Sequence, residues 1–255
     1  MNKISVAIIT KNEEANIRGC LESVRWADDV VVVDSGSTDQ TLEICRQFPA
    51  RIFAEEWKGF ARQKNSAIAK TRHEWVLSLD ADERVTEKLK EEILRTLGAD
   101  SSPDGFFIPR KNFFLGKWIK YCGWYPDRNL RLFRRERGRF EDREVHERIV
   151  VQGPVGSLKE PLEHYTYRTL SDFLLRLDRY SSLAAREMFR EGRRFRRRDW
   201  FFRPPLTFLQ MYLLRAGFLE GYFGFLLSAL YAFYTLVKYS KLKEIQSLEN
   251  PRPAE

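Results

Sequence analysis

Trp75-Val76-Leu77-Ser78-Leu79-Asp80-Ala81-Asp82-Glu83 is an apolar run that ends abruptly in acid. Its first five residues fit a buried strand. Asp80 and Asp82, two apart in an extended chain, project to the same side, about 7 Å from each other. Such a carboxylate pair can hold Mg²⁺ or Mn²⁺, because hard divalent cations take oxygen ligands. D-x-D by itself also describes a solvated turn or a helix cap. Its place at the end of a buried strand favours a ligand site.

Outward from this strand the same grammar repeats. Residues 4–9, 30–33 and 51–54 are short strands, the first two deeply apolar. Residues 13–24, 41–48, 62–70 and 87–97 carry helical spacing, with Ile17, Leu21 and Val24 on one face of the first. Strand and helix in alternation imply right-handed βαβ units and a parallel sheet. Ligands in open α/β sheets bind beyond the carboxyl ends of the strands. Three polar clusters, at residues 10–14, 34–39 and 80–83, stand at three such ends. Thr38 or Asp39 suits the N-cap of the helix at 41–48. Asp34 follows four valines, where a bare carboxylate gains nothing from packing. It can accept a hydrogen bond from a nucleobase N–H.

The 255 residues suffice for a full α/β core plus an appendage. A formal charge of +8 suits an anionic partner, whether phospholipid, nucleotide, nucleic acid or phosphorylated acceptor, without choosing among them. Three cysteines, with no C-x-x-C spacing, argue against a disulfide framework or zinc knuckle and for a reducing compartment. The first apolar run is too short for a signal-peptide core, and Lys11, Glu13 and Glu14 follow it at once, so no export signal is expected. Residues 101–165 are rich in Gly, Pro and aromatics and read as short strands and loops, including 105–109, 129–134 and 148–151. Residues 170–190 form a helix with apolar Phe173, Leu174, Leu177 and Leu183, and the last six residues read as frayed. The expected division is 1–100, 101–168 and a helical region at 169–255.

Four segments in order carry a family resemblance: residues 6–14 (VAIITKNEE), 30–41 (VVVVDSGSTDQT), 59–67 (GFARQKNSA) and 77–83 (LSLDADE). Together they resemble glycosyltransferase family 2. The resemblance implies the GT-A fold, a nucleotide-diphospho-sugar transferase fold with a Rossmann-like mixed sheet. It implies a nucleotide-sugar donor and a divalent cation. Residues 1–100 would then be the nucleotide-sugar-binding half and 101–168 the acceptor-binding half. It places Thr10, Asn12 and Glu13 in the nucleoside pocket and Asp34 on the base. Lys64 would face the nucleotide, Asp80 would contact ribose or metal, and Asp82 would be the main metal ligand. Lys11 replaces the aromatic usual in the first motif. DADE, residues 124–133 (WYPDRNLRLF), Val145-His146-Glu147 and the aromatic tail are similar to lipopolysaccharide core glucosyltransferases acting on heptose. That narrower likeness implies glucose from UDP-glucose and a lipid-linked saccharide acceptor.

An inverting transfer needs a base for the acceptor hydroxyl, opposite the leaving diphosphate. The candidates are Glu141, Asp142, Glu144 and Glu147, with Glu147 favoured and Glu144 next. Each of these acids could instead pair on the surface with Arg137, Arg139, Arg143 or Arg148. His146 is a candidate third metal ligand or hydrogen-bond donor to the diphosphate, though a lone histidine is more often an ordinary polar residue. Trp124 and Tyr125 are candidates to stack on an acceptor sugar, or for the core. The basic run at 193–198, beside an apolar aromatic tail, reads as a patch facing anionic phospholipid. Residues 221–237 lack charge, at the lower limit for spanning a bilayer. A monotopic anchor or a buried helical hairpin ranks above a spanning helix. The expectation is an enzyme peripheral or monotopic at the cytoplasmic face of the plasma membrane, with no nucleic-acid partner, since no such module matches. The alternatives are a polyprenyl-phosphate glycosyltransferase and a catalytically silent GT-A-like binding protein.

Overall fold

The computed structural model describes residues 2–98, 103–141 and 148–249. The chain divides into two compact units. One holds residues 1–111 and 126–166, the other 112–125 and 167–255.

The first unit is built on a mixed sheet. Its parallel half joins β1 (Ile4–Thr10), β2 (Asp29–Asp34), β3 (Arg51–Ala54) and β4 (Trp75–Asp80) in the order β3-β2-β1-β4. Helices α1 (Ile17–Ser23), α2 (Thr41–Cys45) and α3 (Phe60–Ala69) connect these strands. Beyond β4 the sheet turns antiparallel: β8 (Asp127–Arg134) pairs β4, and β6 (Gly105–Phe114) pairs β8. The short β5 (Glu83–Val85) pairs antiparallel with β12 (Leu162–Tyr167) at the far end. The parallel sheet expected from the alternation is therefore only half of a mixed one. Two short strands, β7 (Lys117–Trp118) and β11 (Val155–Ser157), pair with β6, and a separate hairpin joins β9 (Gly138–Glu141) and β10 (Arg148–Val151).

Alternation along the strands builds two cores. Ile4, Val6 and Ile8 of β1, Val30 and Val32 of β2, and Trp75, Leu77 and Leu79 of β4 enter one cluster with α1 and α4 (Glu87–Leu97). Ala7, Ile9, Val31, Val33 and Val76 enter the other with Ala61, Ala67 and Ile68 of α3. Both faces are covered, which explains why the strands read as unbroken apolar runs. The Thr86 side chain caps α4 by accepting the Leu89 N–H, and Leu89, Ile93 and Leu97, four apart, are all buried. Each of these side chains contributes about 1.5–3 kcal/mol on burial.

Several element boundaries differ from expectation. The first helix begins at Ile17 because residues 13–16 form a turn in which the Glu13 carbonyl accepts the Asn16 and Ile17 N–H groups. Helix α2 ends at Cys45, before the expected Phe48. Its N-cap residue is Gln40, and Asp39 instead accepts the Thr41 N–H and hydroxyl. Helix α3 starts two residues early, after Gly59 at φ +93°, a conformation that favours glycine. Strand β6 runs through Pro109 to Phe114, five residues past the expected end.

The second unit is helical. It contains α5 (Leu170–Arg190), α6 (Arg197–Leu209) and α7 (Tyr222–Glu249). A π-helical turn (Gln210–Leu214) and a 3-10 turn (Gly217–Glu220) lie between the last two. Thr169 and Asp172 form a reciprocal capping box that starts α5. The unit has its own core around Phe114, Ile119, Phe173, Leu177 and Leu227. Trp124 packs against this core, edge-on to Phe114 and Tyr231, and Tyr125 lies edge-on to Trp118. Residues 112–125, expected within the acceptor half, thus belong with the helices. Buried Glu220 accepts the Lys120 and Tyr121 N–H groups and pairs with Lys117 at 2.8 Å. Gly224 lets α7 pass so close to the 3-10 turn that a Cβ there would overlap the Gly217 carbonyl oxygen. Among the described residues no helix is long and apolar enough to cross a membrane.

Candidate active site

The carboxyl ends of β1, β2 and β4 meet in register. Thr10 lies opposite Asp34, and Ile9 opposite Asp80. Neighbouring strands lie about 4.8 Å apart, so the three polar clusters share one rim of the sheet.

On the β1–β2 side, Asp34 is 1% exposed. Its Oδ2 accepts the Gly36 and Ser37 N–H groups at 2.9 Å each, and its Oδ1 accepts the Ser37 hydroxyl. The carboxylate thus braces the loop that follows its own strand. Asn12, at φ +54°, ties the first cluster to the second. It donates its N–H to the Ser37 hydroxyl, and its side-chain oxygen accepts the Thr38 N–H. Glu13 donates its N–H to Thr41 and accepts from the Asn16 side chain. Two hydroxyls on this rim, Thr10 Oγ1 and Ser35 Oγ, are buried with no hydrogen-bond partner among the described residues. Buried hydroxyls are nearly always satisfied, so this pair marks a place where a ligand can complete the bonding.

On the β4 side sits an ionic network in which Lys64, Glu83 and Arg131 are buried and Asp80 is half-buried. Asp80 pairs with Lys64 of α3 at 2.8 Å and with Arg131 of β8 at 2.7 Å. Arg131 also holds Glu83 at 2.6 Å, and Arg110 of β6 reaches Glu83 at 3.1 Å and Asp127 at 2.6 Å. Glu83 is fully buried and also accepts the Asp80 N–H. Burial works against the Asp80 charge, but Lys64 and Arg131 outweigh it and hold the carboxyl well below its ordinary range. Burial likewise opposes the Arg131 charge, and Glu83 and Asp80 more than restore it. Lys64 stands 5.2 Å from the centre of the Phe140 ring. The Cys20 thiol points at the Asp80 carbonyl, and burial, then Glu83, Asp82 and Asp80, push it well above the usual thiol range.

Asp82 is placed differently from Asp80. Its Oδ2 lies 3.4 Å from Nε2 of His164 on β12. Two neighbouring ligands of an octahedral cation, each at about 2.1 Å, sit about 3 Å apart, so a carboxylate and an imidazole at this spacing fit one divalent ion. Among the described residues no group of three or more acids, histidines or cysteines is set to hold a metal.

The structure therefore brings Thr10, Asn12, Glu13, Asp34, Lys64, Asp80 and Asp82 to one rim. Glu144, His146 and Glu147 lie outside the described residues. Glu141 ends β9 opposite Arg148. Trp124 and Tyr125 belong to the second unit. Sequence reasoning missed Arg131, Arg110, Ser35 and His164. Arg131 carried a signal, a lone cation between Leu130 and Leu132 in a strand that had to be buried. His164 carried little beyond being one of three histidines.

A strand-end D-x-D, a buried lysine beside it and orphan hydroxyls at the ends of the neighbouring strands share this one rim. The chain belongs to glycosyltransferase family 2, whose model, described as glycosyl transferase family 2, matches residues 5–153. Its α/β architecture, a mixed Rossmann-like sheet with a helical C-terminal region, is the GT-A fold expected of that family. The chain is similar to a lipopolysaccharide core biosynthesis glycosyltransferase, LpsC, of Rhizobium meliloti (strain 1021). The two are 35% identical over 251 residues, covering 92% of this chain and 91% of that protein. It is also similar to the uncharacterized glycosyltransferase RT0209 of Rickettsia typhi, 28% identical over 96% of this chain and 88% of that one. Among solved structures, S. aureus TarS 1–349 is matched with a TM-score of 0.47 and 16% identity, over 99% of this chain and 93% of that one.

Proposed function

We propose that this glycosyltransferase is an inverting, metal-dependent enzyme that moves glucose from UDP-glucose to a lipid-linked saccharide of the lipopolysaccharide inner-core kind. The reading rests on one observation above the rest, the Asp82–His164 pair at the rim where β1, β2 and β4 end. The name of the Rhizobium meliloti relative supports the choice of acceptor. Asp82 and His164 hold the divalent cation. When bound, the cation neutralises charge on the departing nucleoside diphosphate. Asp80 is committed to Lys64 and Arg131, so its task is to fix Lys64 at the diphosphate side of the rim. Thr10 and Ser35 hydroxyls take up the nucleoside, with Asp34, Asn12 and Glu13 shaping the loop around it. Glu147 is the base, with Glu144 the alternative.

The test is release of UDP in the presence of lipid-linked acceptors, with and without Mn²⁺. Asp82→Asn and His164→Ala are each expected to abolish metal-dependent turnover and leave the melting temperature near that of the parent. Glu147→Gln is expected to lose about 10²–10⁴-fold in transfer while keeping donor binding. Full activity in Asp82→Asn would overturn the metal assignment. An inactive Glu144→Gln beside an active Glu147→Gln would move the base to Glu144.

A further inference from the structure

The second unit carries a feature that sugar transfer does not use. An open cleft of about 700 Å³ lies beside α6 and α7. Its apolar wall is aromatic, made by Phe195, Trp200, Phe201 and Phe202. Phe201 and Phe202 are 65% and 57% exposed and meet edge to face. The Trp200 indole N–H donates to the Ser240 hydroxyl at 2.9 Å, which fixes that ring at the cleft. Apart from Ser240, the other lining groups are cations. Arg197 and Arg198 come from the first turn of α6, and Lys243 of α7 stands 5.7 Å over the Phe195 ring. Among the described residues no acid lines the cleft. Arg197 and Arg198 have no carboxylate partner among the described residues.

Cations without counter-charge, set beside exposed aromatics, match an amphiphile with an anionic head and an apolar chain. The surroundings extend the match. Residues 190–203 hold seven arginines against two acids. Leu206, Leu209, Leu213 and Leu214 continue an exposed apolar surface along α6 and the turn after it. A water-bathed protein rarely leaves such a surface bare. We propose that the cleft binds an anionic phospholipid of the bilayer. Arg197, Arg198 and Lys243 hold its phosphate, and an acyl chain lies against Trp200, Phe201 and Phe202. This rests on the reading that the acceptor is lipid-linked, and it names the surface on which the enzyme would wait for that acceptor.

The experiment is flotation of the full-length protein on phosphatidylcholine vesicles with and without phosphatidylglycerol. The protein floats only with the anionic lipid. Neutralising Arg197, Arg198 and Lys243 to Gln weakens the association about 100-fold, since each basic residue at an anionic surface is worth about 1 kcal/mol. Neutralising Arg193, Arg194 and Arg196, which remove the same charge but do not line the cleft, costs clearly less. Phe201→Ser with Phe202→Ser also weakens flotation, and their exposure means the fold survives the change. Equal losses from the two charge triplets would overturn the cleft in favour of diffuse attraction. No flotation on anionic vesicles would overturn it outright, as would single-stranded RNA that binds the cleft and displaces the vesicles. The two readings fail separately. UDP release on lipid-linked acceptors without flotation defeats only the cleft. Flotation without transfer to such acceptors defeats only the acceptor assignment.

Discussion

Replacing Arg131 with Met removes one guanidinium from two carboxylates at once. Asp80 and Glu83 lie 2.7 and 2.6 Å from its Nη2, and Glu83 has no exposed surface. Breaking a buried pair by deleting one partner costs about 3–5 kcal/mol, because the other charge stays buried and uncompensated. Here each acid keeps a second cation, Lys64 for Asp80 and Arg110 for Glu83. The loss should therefore fall at the lower end, about 3 kcal/mol. That is a large share of the 5–15 kcal/mol typical of a domain. Urea denaturation at neutral pH reads it as a shift in midpoint at constant slope. Arg131→Lys keeps the charge, but its side chain ends one atom short of the position of Nη2, and it should lose part of the same stability. The double variant Arg131→Met with Glu83→Gln removes the stranded charge, so its loss should be smaller than the sum of the two single losses. A strictly additive double variant, or an Arg131→Met protein within 1 kcal/mol of the parent, would refute the network as described.

Three further perturbations test other parts of the molecule. Asp34→Asn puts an amide where three donors converge on a carboxylate; it should cost about 1–3 kcal/mol and weaken UDP binding measured by titration calorimetry, and an unchanged affinity would remove Asp34 from the pocket. Hydrogen bonds from Lys70 and Ser66 lower the Glu55 carboxyl from 4.5 to about 2, so its contribution is complete above pH 4.5 and fades as pH falls toward 2. Glu55→Gln should flatten that part of the stability–pH curve by about 1 kcal/mol after screening, and a curve of unchanged slope would count against the pairing. Gly224→Ala forces α7 away from the Gly217 carbonyl and should lower stability by about 1–3 kcal/mol, read as a fall in melting temperature; an unchanged melting temperature would mean the turn yields freely.

The parallel half of the sheet was legible because its strands are buried on both faces and announce themselves as apolar runs. The acidic cluster at the end of β4 was legible for the same reason, since acid against such a run has no packing motive. What failed was whatever depended on distant partners. Arg131 lies 51 residues from Asp80 and 48 from Glu83, and no local pattern links them. His164 meets Asp82 only because β12 pairs with β5, the strand that follows D-x-D directly. Asp34 looked like a free ligand, but the tight turn that takes up its oxygens depends on Gly36 at φ +81°. The strand expected at 105–109 stops at Pro109. The observed strand continues, with Pro109 opposite Arg128.

The thiol facing the Asp80 carbonyl has a practical side. Cys20, Cys45 and Cys122 are all buried. Burial raises each thiol, and that of Cys45 reaches about 11. At neutral pH the reactive thiolate of such a group is about 10⁻⁴ of the total, and maleimides and oxidants act on thiolate. Buried and with raised thiols, the three cysteines should react slowly with thiol reagents in the folded protein. A single cysteine introduced at Phe201 or Leu214 would take a fluorophore or spin label alone. Site-specific spectroscopy could then start from the native chain, its own three cysteines left in place.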